Sequence, residues 1–226
     1  MRFGVIRFPG SCDEVDAVLA CERVPNASAQ LLWHGDADLH GVDAIVVPGG
    51  FSYGDYLRAG AIARFSPVME SVIAFANAGG LVLGICNGFQ VLCEAGLLPG
   101  ALLPNLERRF ICRQVSLEVC TATMPFTADC APGELLSIPV KHTTGRYYAP
   151  PGDLEVMDAH GQIVLKYASG HNPNGSVFDI AGVMSRGGNV MGLMPHPEHA
   201  VDALSGSADG LKLFASMAQA PVAAHA

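Results

Sequence analysis

The sequence predicts an α/β protein: a mainly parallel central sheet flanked by helices on both faces, with additional antiparallel strands in the C-terminal half. Three observations predict it. Continuous apolar runs such as AIVV (44–47) and LVLGI (81–85) read as strands buried on both faces, since a half-wet sheet would alternate polar and apolar residues. Over the first hundred residues these runs alternate with helical stretches, the βαβ pattern of parallel pairing. Beyond Pro104 strands follow one another without long helices between them, which favours antiparallel pairing.

Taken in order, RFGVIRF (2–8) is a strand that stops at Pro9-Gly10. Ser11 or Asp13 is placed to cap a helix running to about Val24, with Val15, Val18, Leu19 and Cys21 or Glu22 on its apolar period. Residues 30–34 and 43–47 are the next strands, the second ending at Pro48-Gly49-Gly50. A long helical region is expected over 55–78, interrupted near Ser66-Pro67, before strand 81–85 and a helix over 89–95. Segments 110–119, 135–140 and 162–167 are strands, and 183–194 is a hairpin turning at Gly187-Gly188. The final helix spans about 209–218, and the tail 221–226 is expected to fray.

Bulk composition excludes several function classes. The formal charge is -8 and only Lys141, Lys166 and Lys212 are lysines, so there is no basic stripe for nucleic acid. No run approaches the ~18 apolar residues of a membrane-spanning helix. Seven cysteines, an odd number without any C-x-x-C spacing, imply reduced thiols in a cytoplasmic protein. Cys93 is expected in the core pattern of its helix, and Cys12, Cys21, Cys112, Cys120 and Cys130 are expected to be structural.

The sharpest local signal is Gly84-Ile85-Cys86-Asn87-Gly88, between a strand and a helix. A nucleophile on a tight strand-to-helix turn crowds the residues two before and two after it, so both must be small; this is the sulfur form of the G-x-S-x-G elbow. Its place at a helix N-terminus favours the thiolate. Read alone, Cys86 could equally be a small core residue. A thiolate nucleophile needs a base, and the base needs an orienting group. Met194-Pro195-His196-Pro197-Glu198-His199 supplies both: flanking prolines enforce an extended loop in which His196 and Glu198 point the same way. Alone, that stretch could be a solvated loop, or His196 and His199 could be metal ligands lacking a nearby third. The N–H of Asn87 and a donor in the glycine turn Pro48-Gly49-Gly50 could receive a developing oxyanion. That turn is expected to be mobile, and the exposed 51–58 segment after it is expected to meet a partner.

These segments, in this order, resemble the class I (triad) glutamine amidotransferases, with a flavodoxin-like fold. The resemblance implies a Cys86, His196, Glu198 triad, an oxyanion hole from the backbone of Gly50 and Asn87, and Gln90 holding the glutamine substrate; His142 is carried over as a second substrate contact. The blocks GGFSYGDYLR (49–58), NPNGSVFDIAG (172–182) and GSADGLK (206–212) are similar to those of glutaminase subunits of phosphoribosylformylglycinamidine synthases. Two segments depart from that pattern: PGSCD (9–13) is one residue shorter than the usual PGSNCD, and Lys141, Thr143 and Thr144 stand within a segment usually V-A-H-G-E-G. The resemblance covers nearly the whole chain and implies one amidotransferase domain over 1–226. It implies glutamine as substrate and ammonia delivered to a large ATP-dependent synthetase subunit, with a small third subunit in the complex. No cofactor or metal is expected in this chain; ATP and Mg belong to the synthetase, since the sequence has no G-x-x-x-x-G-K-[ST] loop. Service to another synthetase, a cysteine hydrolase of related fold, and a non-catalytic binder are the competing readings.

Overall fold

The computed structural model describes residues 1–122 and 125–221; most of the tail expected to fray lies outside them. Among the described residues the first strand, β1 (Arg2–Arg7), leads into α1 (Glu14–Glu22). Strands β2 (Ser28–Trp33) and β3 (Ala44–Val47) follow, then α2 (Pro67–Asn77), β4 (Leu81–Ile85) and α3 (Asn87–Glu94). The C-terminal half contains β5 (Ala101–Leu103), β6 (Ile111–Val119), β7 (Leu135–His142), β8 (Arg146–Tyr148), α4 (Pro151–Ala159), β9 (Ile163–Tyr167), β10 (Ile180–Met184), β11 (Val190–Leu193) and α5 (Leu211–Gln219).

Among the described residues nine strands form one mixed sheet in the order β2-β1-β3-β4-β11-β10-β9-β6-β7. Pairing is parallel from β2 to β11 and antiparallel from β11 to β7. A small antiparallel ribbon joins β5 to β8. Strands β3, β4, β10 and β11 are buried along their whole length, as expected of a sheet covered on both faces. The C-terminal ends of the adjacent parallel strands β1, β3, β4 and β11 open at one edge, the place where open α/β sheets bind ligands. Among the described residues no helix is long and apolar enough to cross a membrane.

Five local expectations change. The region 55–78 is not one helix: only α2 is α-helical, and the part before it is irregular, with Asp55 and Leu57 at φ 54° and 68°. There Gly60 approaches the backbone of α3 so closely that a Cβ would fall 2.8 Å from Gln90 C. In α1 the buried residues are Glu14, Ala17, Ala20 and Cys21, so its buried apolar side chains are all small, while Val15 and Leu19 are 55% and 53% exposed. Small residues face the sheet because α1 packs close to it, and the large apolar ones are left outside. Asp13 makes no side-chain cap; its carboxylate is used elsewhere. Helix α4, nine residues long, has no strong apolar period and escapes the pattern. Of the cysteines expected to be structural, Cys12, Cys112 and Cys120 are exposed.

Candidate active site

Cys86 follows β4 and makes the turn into α3 with φ 51° and ψ −104°, a conformation that costs a non-glycine residue of order 1–3 kcal/mol. The turn is held by Cys86 N–H donating to Leu193 O (2.8 Å) and Gln90 N–H donating to Cys86 O (3.2 Å). The flanking glycines are required sterically. A Cβ at Gly84 would lie 2.5 Å from Leu92 Cδ1, and one at Gly88 would lie 1.8 Å from Val47 O.

His196 follows β11 and is 1% exposed. Its N–H donates to Pro139 O (2.8 Å), and Nδ1 pairs with Glu198 Oε1 at 2.6 Å. The contact arises differently from the expected extended loop: Pro197–His199 forms a tight 3₁₀ turn that folds Glu198 back onto the ring. Among the described residues Nε2 has no hydrogen-bond partner besides Cys86, its neighbour across the pocket they both line. Burial works against charge on His196, but Glu198 and Cys86 outweigh it and hold the imidazole well above its ordinary range. The arrangement therefore favours an imidazolium between a carboxylate and a sulfur.

The turn Pro48-Gly49-Gly50 is tethered rather than free. Gly49 O accepts from Cys12 N–H (3.1 Å) and Asp13 N–H (3.3 Å), and Phe51 N–H donates to Gly10 O (2.8 Å). In a trans peptide the N–H points opposite to the C=O, so the Gly50 N–H is turned away from residues 12–13. Gly50 has φ 146°, and a Cβ there would meet Gly10 O at 2.6 Å, so only glycine fits. Asn87, at the first position of α3, has a backbone N–H with no helical acceptor. Its side chain braces the site, with Oδ1 accepting from Ser52 N–H (3.0 Å) and Nδ2 donating to Gln90 Oε1 (2.8 Å).

Gln90 lines the pocket, yet both ends of its amide are engaged, the second by donation from Nε2 to Thr144 O. His142 also borders the pocket, but its ring is turned into a buried asparagine network. Asn105 Nδ2 donates to the carbonyls of Arg109 and His142, so Asn105 Oδ1 is the acceptor and His142 Nδ1, 3.0 Å away, carries the proton. Burial holds this imidazole down to about 4, hence neutral. Asn174 Nδ2 donates to Gly145 O (2.8 Å). The NPNGS segment is thus scaffolding for the loop 143–145 that forms one pocket wall.

These observations put a strained thiol, an oriented imidazole and a glycine turn at the open ends of parallel strands. Residues 1–216 match the family model for the CobB/CobQ-like glutamine amidotransferase domain. The chain belongs to that family. A protein named phosphoribosylformylglycinamidine synthase subunit PurQ from Rubrobacter xylanophilus is 58% identical over 96% of this chain and 97% of its own length. The protein of the same name from Synechococcus elongatus is 52% identical over 99% and 100%. A chain in the structure of PurLQS from Thermotoga maritima superposes with a TM-score of 0.88 at 42% identity, covering 96% of this chain and 97% of that one.

In this amidotransferase the site contains residues beyond the motif reading. Asp13, 3% exposed, places Oδ2 3.6 Å from His196 Nδ1 and accepts at Oδ1 from Lys141 Nζ and from His199 Nε2 (3.2 Å). Burial opposes its charge, but His199, His196 and Lys141 hold the carboxyl well below the usual carboxylate range. Asp13, His196, Glu198 and His199 bring four ligand-type atoms within 4.8 Å of one another. The Lys141 ammonium already supplies a cation there, and these atoms hydrogen-bond or ion-pair among themselves. Asp13 had only a helix-cap signal, and Asn105 had none, because their partners lie 128 and 37 residues away.

Proposed function

We propose that this chain is the glutaminase subunit of a phosphoribosylformylglycinamidine synthase, hydrolysing glutamine through Cys86, His196 and Glu198 and passing the ammonia to an ATP-dependent synthetase. The carrying observation is Cys86 held at φ 51° beside a buried His196–Glu198 pair. The names and near full-length coverage of the relatives support the synthase assignment. They equally support a large synthetase subunit and a small third subunit as partners, since one relative is part of a PurLQS structure. ATP and Mg belong to the synthetase, and this chain needs no cofactor for the step described here. The setting is cytoplasmic purine biosynthesis.

The chemistry follows from the atoms. Cys86 Sγ attacks the side-chain amide carbon of glutamine, and the carbonyl oxygen gathers charge against the N–H groups of Asn87 and Gly50. Losing one such donor typically costs on the order of 10²–10³ in rate. His196 gives its proton to the departing nitrogen, which leaves as ammonia, and a glutamyl thioester remains. Water then attacks the thioester with His196 as base; glutamate leaves and the thiolate returns. Glu198 fixes the tautomer and orientation of the ring throughout. Gln90 and the 143–145 loop, carried by His142, shape the wall that receives the glutamine.

Cys86→Ala tests this reading. It should abolish glutamine-dependent ammonia release while leaving the assembled synthase active with added ammonia. A variant that still hydrolyses glutamine would overturn the assignment.

A further inference from the structure

Two carboxylates, not one, face the imidazole of His196: Glu198 Oε1 at 2.6 Å and Asp13 Oδ2 at 3.6 Å from the same Nδ1. The approach of the second is built into the fold. A side chain at Gly49 would fall 2.3 Å from Asp13 Oδ2 and 2.7 Å from His196 Cε1, so the turn from β3 is bare where this carboxylate meets the ring. Asp13 is in turn bound by Lys141 from β7, whose own carbonyl oxygen lies 3.8 Å from Cys86 Sγ. The ionisable groups around His196 are Cys86, Asp13, Lys141, His142, Glu198 and His199. His142 stays neutral above about pH 4.

The charges change during turnover. Before reaction, the sulfur of Cys86 and the imidazole of His196 share one proton, so the pair carries no net charge. Once the thioester has formed, sulfur is neutral and the imidazole proton has left with ammonia. His196 must now remain unprotonated until it takes a proton from water: the water oxygen bonds to the thioester carbon, the C–S bond breaks, and sulfur leaves as the thiolate beside a renewed imidazolium. Two uncompensated carboxylates at Nδ1 would draw a solvent proton onto the ring and block that step.

We propose that Asp13 is a second positioning carboxylate for His196, and that Lys141 cancels its charge so that the ring can act as base on the thioester. The proposal rests on the triad reading above. Asp13 orients the ring from the β1 side while Glu198 does so from the β11 side. Lys141 lets this happen without an excess of negative charge.

The test is the acidic limb of kcat for glutamine hydrolysis by the full chain with its synthetase. Lys141→Met leaves Asp13 uncompensated and should move the limb to higher pH; Asp13→Asn leaves Lys141 uncompensated and should move it to lower pH. Each shift is expected to be on the order of one pH unit, the size produced by one charge a few ångströms away. The double variant should return near the wild-type limb, and Lys141→Arg should keep it. A purely structural role would lower kcat without opposite displacements of the limb. Unmoved limbs, or shifts of the same sign, overturn the proposal. If Asp13→Asn does not fold, the comparison of Lys141→Met with Lys141→Arg decides alone, and coincident limbs refute it. Glutamine hydrolysis surviving Cys86→Ala would instead break the triad reading.

Discussion

Gly88→Ala is the substitution that most directly tests how the fold builds the nucleophile turn. The added Cβ would sit 1.8 Å from Val47 O and 2.6 Å from Val47 C. An ordinary carbon–oxygen contact is about 3.3 Å, so the two backbones must separate by roughly 1.5 Å. No rotamer relieves the clash, because both partners are main chain or Cβ. β3 cannot yield, since it is paired with β1 on one side and β4 on the other. The first turn of α3 must therefore move, and Cys86 moves with it. Overpacking of this kind costs about 1–3 kcal/mol, occasionally more. For a chain of this size that lowers Tm by roughly 2–4 °C per kcal/mol. Misplacing a reacting group by about 1 Å costs on the order of 10²-fold in rate. Thermal melting and kcat/KM for glutamine measure the two effects together. Gly152→Ala, in α4, is the control: among the described residues its Cβ meets nothing within 4 Å, so Tm should hold or rise. Wild-type Tm and wild-type kcat/KM in Gly88→Ala would refute the steric account of the elbow.

Three further outcomes are expected. His142 is buried neutral with its pKa held to about 4, below the 6.5 of an ordinary histidine, so the unfolded chain binds the extra proton between those values. Stability should be complete above pH 6.5 and fall by about 3 kcal/mol as pH drops to 4, at roughly 1.4 kcal/mol per unit; denaturant melts of His142→Gln should lack most of this slope. Among site variants, His196→Ala should cost nearly as much kcat as loss of the thiol, Glu198→Gln less, and His199→Ala least. A ranking with His199→Ala worse than His196→Ala would reassign the base. For the partner, Leu57 is the better probe than Arg58, which is already held by Glu94 in a two-pronged ion pair at 2.6 Å. Leu57 is 90% exposed at φ 68°, close to Asp55, whose carboxylate accepts from Asn87 Nδ2 (3.3 Å). Leu57→Asp should leave the isolated rate unchanged and weaken stimulation by the synthetase; equal stimulation of both forms would remove this segment from the contact.

The sequence alone was sufficient for whatever local sterics and short-range spacing decide. LVLGI running on into Cys86-Asn87-Gly88 determines a buried strand and a crowded turn, because the small residues Gly84 and Gly88 answer a constraint two positions away. His196 and Glu198 were legible as a pair for the same reason, although proline drew them together in a turn rather than an extended strand. The exposed Val15 and Leu19 show where periodicity fails: α1 lies so close to the sheet that its small residues face inward. Only the tertiary structure could decide the rest. Asp13, Lys141 and His199 meet because the ends of β1, β7 and β11 converge, over separations of up to 186 residues. His142 and Asn105 form their pair across 37 residues, where no local pattern constrains either side chain. Long-range convergence depends on strand order and crossover direction, which no window of neighbouring residues encodes; spacing therefore predicts the nucleophile and its base, while the charges that surround them are set by how the sheet is threaded.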